Sequence, residues 1–350
     1  MSIMEKLLII GHFGGDTDSS DGQTVKTKIL YSELCRTGKW EILKADTYYK
    51  RHDPLKLVRD SLCGILQAKS IIVLLSFNGM KLYFSILYLF SKLFGKHIYH
   101  DVIGGKLPEY VQNVPGFRKY VKSFRHNWVE TPSIRDALVE AGVTNCSVIP
   151  NFKNLSILCE NELKVDVSEP FRFCTFSRVM KEKGIGDAVQ VIEKINAQAG
   201  RTVCELDIYG YVDDSYAVEF EKLMAGQKAS RYCGVVPFDK SVEAIRDYYA
   251  LLFPTYWKGE GFPGTLVDAL SAGLPIVASD WNFNKDIVRN GATGVIYPSS
   301  LANDLETAVI WMMGQKENLI EFKRNCIQDA AYYRPEQHIQ NMIEMIQNNQ

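Results

Sequence analysis

Two stretches of this chain have the same local layout, and together they restrict its fold more than anything else in it. Near the start, KLLIIGHF (6–13) is a short apolar run, followed by GGDTDSSDGQ (14–23), a loop dense in Gly, Asp and Ser. Helix-spaced apolar residues come next at Val25, Ile29, Leu30 and Leu34. A short apolar run bounded by turn formers reads as a buried strand, and strand, loop and helix in that order open a parallel α/β sheet. The layout returns near residue 172, where RFCTFSR (172–178) precedes a helix over 186–200 that closes on Gly200. Further buried strands are predicted at 70–77, 97–105, 128–133 and 146–152, and then at 204–210, 249–255 and 274–280.

The 350 residues therefore divide into two domains. The mixed stretch 151–170, which ends in Pro170, is the expected linker. It separates domains at 1–165 and 166–330. A final helix over 331–350 places Ile339, Met342, Ile343 and Ile346 on one face and is expected to pack back on the first domain. The fold class is α/β, two doubly wound Rossmann-like lobes facing a cleft, with ligands beyond the carboxyl ends of the strands.

Composition narrows the function classes. With 46% hydrophobic and 23% charged residues the chain is neither disordered nor coiled-coil. No apolar run reaches the roughly 18–20 residues of a membrane span, and the N-terminus lacks the basic start and long apolar core of a signal peptide. Eight cysteines are scattered without CxxC pairs, which argues against a zinc ribbon or a disulfide framework and for reduced thiols in a cytoplasmic setting. The net charge of −1 is unevenly spread. Residues 1–164 hold 22 Lys and Arg against 16 Asp and Glu, and the remainder holds 18 against 25. A basic first half points to an anionic partner such as a membrane surface or a phosphorylated acceptor. No nucleic-acid motif accompanies it.

The densest segment is GEGFPGTLVDALSAGLP (259–275). It reads as a turn carrying Glu260, a helix that starts at Pro263–Thr265, and a stop at Gly273. Proline at the first turn and glycine past the end are the usual asymmetry of helix ends. The free amides of Gly264, Thr265 and Leu266 would make an anion site. Glu260 and Asp268 on either side of it suit hydroxyls of a sugar and a ribose rather than phosphate. A second constellation, Arg178 and Lys183 in RVMKEKG, follows a strand directly. It offers a guanidinium fork and a point charge for phosphate oxygens.

These motifs resemble the retaining family-4 glycosyltransferases of GT-B fold. The resemblance rests on R-x4-K-G after a strand, on EGFPG with a second acid eight residues after Glu260, and on ALSAGLPIVASD (269–280). It extends to VIPNF (148–152), LDIYG (206–210) and GATGVIYP (291–298), and, more loosely, to N-terminal segments of bacterial capsule, O-antigen and exopolysaccharide transferases. The resemblance implies that Arg178, Lys183 and the amides of Gly264, Thr265 and Leu266 bind the donor diphosphate, and Gly22, before a helix start, would approach the same phosphate. The resemblance places Glu260 on the donor sugar and Asp268 on the ribose. Two positions depart from the family: Asp268 stands where Glu is preferred, and WNFNKD (281–286) stands where a glycine pair and Glu are usual.

His100 and Asp101, at the end of a strand, are the catalytic candidates of the first lobe beside Glu260, or else a polar pair that closes the strand. Asp16-Thr17-Asp18 spells a D-x-D that holds a divalent metal in other glycosyltransferases. Because Arg178 and Lys183 serve the phosphates, no metal and no cofactor are expected. Met80–Phe94 is apolar almost all round, which suits a buried helix, an oligomer contact or an in-plane membrane helix.

The resulting expectation is a metal-independent, retaining transferase. It would move a hexose or N-acetylhexosamine from a nucleoside-diphosphate sugar, with UDP preferred, to a glycan or lipid-linked acceptor in surface polysaccharide synthesis. Its place would be cytoplasmic or peripheral on the membrane. A non-catalytic sugar-nucleotide-binding subunit and a nucleotide-sugar epimerase of the same fold are the alternatives.

Overall fold

The structure is a computed structural model and describes residues 4–15, 22–299 and 304–348. The Asp16-Thr17-Asp18 motif lies outside the described residues. The chain forms two compact units, Met1–Asn154 with Arg334–Gln350, and Leu155–Tyr333.

The first unit runs β1 (Lys6–Gly11), α1 (Gly22–Arg36), β2 (Glu41–Asp46), α2 (Tyr49–His52), α3 (Pro54–Gln67), β3 (Ser70–Val73), α4 (Phe77–Phe94), β4 (His97–Asp101), α5 (Leu107–Asn113), α6 (Phe117–Ser123), β5 (His126–Val129), α7 (Pro132–Glu140) and β6 (Cys146–Val148). Its sheet has the order β2-β1-β3-β4-β5-β6 and is parallel throughout. Leu7 to Ile10 and Ile71 to Val73 have no exposed surface. Strands covered on both faces have no polar side to show, which is why they read as unbroken apolar runs.

The second unit runs β7 (Phe171–Phe176), α8 (Ile185–Ala199), β8 (Cys204–Tyr209), α9 (Ala217–Met224), β9 (Ser230–Gly234), α10 (Ser241–Ile245), β10 (Ala250–Phe253), α11 (Gly264–Ser271), β11 (Ile276–Ser279), α12 (Asn284–Ile287), β12 (Gly294–Tyr297), α13 (Asp304–Met313) and α14 (Leu319–Ala330). Its sheet order is β12-β11-β10-β7-β8-β9, also all parallel. The order reverses between β7 and β10. In an open α/β sheet, the crevice beyond the strand ends at such a reversal is where a ligand binds.

The last helix, α15 (Pro335–Gln347), belongs to the first unit. Its buried Ile339, Met342, Ile343 and Ile346 join Leu30 and Leu34 of α1 and the stacked rings of Tyr99 and Trp128 in one core. The Trp128 indole N–H donates to the Met345 sulfur at 3.3 Å.

Three strands carry no sequence reading: β2, β9 and β12. All three lie at sheet edges. An edge strand is only half covered, so its sequence keeps charged or small residues, as EILKAD and SRYCG show. Among the described residues no helix is long and apolar enough to cross a membrane.

Candidate functional site

The second unit's switch point gathers most of the residues singled out above. β7 ends at Phe176 and delivers Ser177 and Arg178, and a short turn then brings Lys183 round to Gly184. Gly184 has φ +71 and caps α8, and a Cβ there would sit 2.2 Å from the Pro254 carbonyl oxygen. Only glycine lets the loop after β7 press against the end of β10 this closely.

Lys183 is thereby carried to Glu260. Its Nζ lies 2.5 Å from Glu260 Oε2, with side-chain exposures of 10% and 6%. Thr255 Oγ1 donates to the same carboxylate oxygen at 3.0 Å. Burial pulls the Lys183 ammonium below its ordinary pKa, against the opposing pull of Glu260. A buried charge pair held by one further hydroxyl is costly to assemble and strongly destabilised when one partner is removed.

Trp257 is a member of the site that sequence reasoning missed. Its ring lies 5.2 Å from Lys183 Nζ and 6.0 Å from the Arg178 guanidinium, within cation–π range of both. Arg178 itself is half exposed and stands 4.0 Å from Asp213. The turn holding Trp257 is braced from the next strand. The Trp281 indole donates to the Trp257 carbonyl at 2.7 Å, Asn282 Nδ2 donates to the Glu260 carbonyl at 2.8 Å, and Ser279 Oγ donates to the Thr255 carbonyl at 2.6 Å. Asn282 has φ +47, the single non-glycine residue in the left-handed region among the described residues. Asparagine tolerates that conformation, so WNFNKD can turn where the resembling family uses glycine.

Helix α11 begins beside this pair. Thr265 Oγ1 donates to the Phe176 carbonyl at 2.5 Å and ties the helix start to β7. The Leu266 amide donates to the Pro263 carbonyl at 3.0 Å, and its side chain is fully buried. Leu266 is therefore corrected from anion donor to core residue. The Gly264 and Thr265 amides remain as first-turn donors with no acceptor inside the helix. The helix ends in a Schellman arrangement, Leu274 N to Ala269 O and Gly273 N to Leu270 O, with Gly273 at φ +58. Asp268 is 3% exposed and accepts from Ser241 Oγ at 3.0 Å, so its carboxylate is engaged inside the unit.

The first unit places its candidates otherwise than expected. His100 and Asp101 have no exposed surface. Asp101 lies 2.7 Å from Lys26 Nζ, which also reaches Glu130 at 3.2 Å. Burial raises the Asp101 pKa to about 6, with Lys26 opposing. Burial also lowers the His100 pKa to about 3, leaving a neutral ring at the edges of Phe84 and Phe124. Both residues are corrected from acceptor-facing groups to interior ones, because β4 is covered on both sides. Gly22 opens α1 and is exposed, with nothing within 4 Å of where a Cβ would stand. Among the described residues no group of three or more His, Cys, Asp or Glu is placed to hold a metal ion.

Residues 162–331 match the glycosyl transferases group 1 family. The amylovoran biosynthesis glycosyltransferase AmsK of Erwinia amylovora is 25% identical over 182 residues, 50% of this chain and 42% of that protein. The GtfA subunit of the UDP-N-acetylglucosamine–peptide N-acetylglucosaminyltransferase of Streptococcus agalactiae is 28% identical over 131 residues, 37% of this chain and 24% of that one. These matches thus span less than half the length of either relative. The crystal structure of Anabaena HepE in complex with UDP superposes with a TM-score of 0.67 at 12% identity, covering 99% of this chain and 100% of that chain. The family match falls within the second unit, and the chain as a whole has the GT-B fold of two Rossmann-like lobes.

Proposed function

We propose that this chain, with its group 1 domain in a GT-B frame, is a metal-independent, retaining glycosyltransferase. It moves a hexose or N-acetylhexosamine from a UDP-sugar to a glycan or lipid-linked acceptor in surface polysaccharide synthesis. It works in the cytoplasm or on the membrane surface facing it. The observation that carries the reading is the Lys183–Glu260 pair against Trp257, set at the β7/β10 switch point beside the start of α11. UDP is preferred because it is the nucleotide in the HepE complex and in the name of the GtfA relative. Surface polysaccharide is inferred from AmsK, whose name places it in amylovoran biosynthesis.

In this reading Arg178 and Lys183 neutralise the charge that gathers on the departing diphosphate, aided by the Gly264 and Thr265 amides. Charges fixed in place before the reaction stabilise such a leaving group without reorganising. Lys183 also fixes the Glu260 carboxylate, whose remaining oxygen accepts donor-sugar hydroxyls. A carboxylate neutralised by a lysine at 2.5 Å is a poor general base, which suits retention better than inversion. Asp268, whose carboxylate accepts from Ser241, takes the ribose in this scheme. Acceptor recognition falls to the first unit.

The test is incubation of the purified protein with a lipid-linked saccharide acceptor and, in turn, UDP-glucose, UDP-galactose and UDP-N-acetylglucosamine in EDTA. Release of UDP is expected, together with an α-linked product by the anomeric proton coupling. No thermal stabilisation by UDP would overturn the donor site. A β-linked product would overturn retention, and manganese-dependent activity would move the weight to Asp16 and Asp18. UDP binding without turnover on any acceptor would assign a sugar-nucleotide-binding subunit instead.

A further inference from the structure

Exposed large hydrophobic side chains cluster on two helices of the first unit. Leu55, Val58, Leu62 and Leu66 on α3 are 83, 54, 45 and 63% exposed, and Leu82, Leu89, Leu93 and Phe94 on α4 are 53, 51, 65 and 62% exposed. These eight are two-fifths of all such residues among the described ones, so they are not ordinary scatter. Each set follows helical spacing. On α3 the steps are three, four and four, and on α4 the half-buried Ile86 completes the run Leu82, Ile86, Leu89, Leu93. Each helix therefore has two apolar faces. The inward one, with Leu57, Ser61, Gly64 and Ile65 on α3 and Met80, Tyr83, Phe84 and Leu87 on α4, meets the sheet, and the other faces out.

The two outward stripes lie on one side of the molecule. α3 links β2 to β3 and α4 links β3 to β4, and successive right-handed crossovers in the same direction put both helices on the same face of the sheet. A hydrogen bond of 2.7 Å between Ser61 Oγ and Tyr83 Oη joins them. Neither helix spans a bilayer, so an in-plane contact is the geometry open to them.

The charge around these stripes selects the partner. Residues 50–125 hold 13 Lys and Arg against four Asp and Glu. Of those four, Asp101 is sealed inside and Asp60 is taken by Lys56 and Arg59. Lys81 and Lys92 on α4 are exposed, and α6, which packs on α4, adds exposed Arg118, Lys119 and Lys122 with no acid. A second copy of this face would bring like charges together, which opposes self-association. An anionic lipid surface attracts these cations and takes up the leucines, the combination that holds an in-plane helix at a bilayer.

We propose that the outward face of α3 and α4 docks on an anionic bilayer. The proposal deepens the lipid-linked acceptor part of the proposed function and rests on it only there. Vesicle binding is read without turnover, so the two readings fail separately. The test is co-sedimentation of the whole chain with phosphatidylcholine vesicles made with and without phosphatidylglycerol, at low and high salt. Binding to the anionic vesicles alone is expected, weakening as salt screens charges beyond about 8–10 Å. Leu66→Glu with Leu93→Glu should lower vesicle affinity about tenfold per leucine withdrawn from lipid, with an unchanged melting temperature. Lys81→Glu with Lys92→Glu should weaken binding and flatten its salt dependence, which checks the charge contribution even if the leucine variant folds poorly. Equal binding to both kinds of vesicle, or binding to neither, overturns the proposal. So does a concentration-dependent dimer that the leucine pair abolishes while vesicles remain unbound.

Discussion

Lys183 and Arg178 both offer positive charge to phosphate, but their surroundings give them different energetics. Lys183 is nearly enclosed and shares a hydrogen-bonded pair with Glu260, whereas Arg178 stands half exposed with Asp213 at the limit of ion-pair range. Lys183→Ala leaves a buried carboxylate without its cation and should cost about 3–5 kcal/mol of stability along with UDP affinity. Lys183→Met with Glu260→Leu should recover much of that stability and none of the turnover. Melting and UDP-release assays on the two variants separate the structural from the catalytic share. Arg178→Ala should change stability by less than about 0.5 kcal/mol while weakening UDP binding, because exposed pairs add little to folding. A second residue-scale expectation concerns pH. Burial holds His100 at about 3 and His126 at about 4, both below the usual 6.5. Between those values the unfolded chain binds protons that the folded chain refuses, so stability is full above pH 6.5 and declines on acidification. Asp101 at about 6, against the usual 3.8, works the other way: the folded chain takes its proton first and gains stability as pH falls through that window. Two histidines with larger displacements outweigh one aspartate. The melting temperature should fall from pH 7 to pH 4.5, and His100→Leu should flatten that fall. An equal slope in the variant would show that His100 is not the titrating group.

Among the elements, the short turn into α8 and the start of α11 set the geometry of the site. Gly184 lets the loop after β7 approach the Pro254 carbonyl, which brings Lys183 to Glu260 across 77 positions of sequence. Gly184→Ala has both a left-handed backbone and a collision with main chain to accommodate, and should cost about 1–3 kcal/mol. It should also displace Lys183, so UDP affinity should fall by more than the stability change alone implies. Titration calorimetry with UDP on the folded variant checks this, and an unchanged affinity would mean that the pair forms without the close approach. At α11 both ends were legible in the chain, because Pro263 and Gly273 are local signals whose effect does not depend on what packs nearby. Asn282 was not legible as a turn residue. Its left-handed backbone is held by the Glu260 carbonyl, a partner 22 residues away.

At the scale of the whole molecule, the chain leaves the first unit near residue 154, builds the second, and returns with α15. The returning helix supplies Ile339, Met342, Ile343 and Ile346 to a core that also holds Trp128. Deleting residues 334–350 should therefore destabilise the first unit by several kcal/mol, since burying each such side chain is worth about 1.5–3 kcal/mol. The second unit has its own core and its own six-stranded sheet. Residues 155–333 expressed alone should fold and bind UDP, as circular dichroism and thermal shift would read. Failure of that fragment to fold would mean that the two units are one cooperative body.

Taken by itself, the sequence determined the features that act locally or through complete burial. Strands such as β1, β3 and β10 are covered on both faces, so their apolar runs have one reading, and glycine or proline marks where the chain turns. The R-x4-K-G and EGFPG signatures were visible for the same reason: each needs particular residues at fixed spacing whatever surrounds them. Tertiary structure alone decided the rest. β2, β9 and β12 are strands because a neighbour offers them one free edge, not because their residues demand it. Lys183 meets Glu260, and Trp257 meets both cations, through a switch point that exists only once β7 and β10 lie side by side. His100 and Asp101 look like a reactive pair in one dimension. Sheet packing encloses them and hands Asp101 to Lys26, because the burial of a polar residue depends on the elements that close over it.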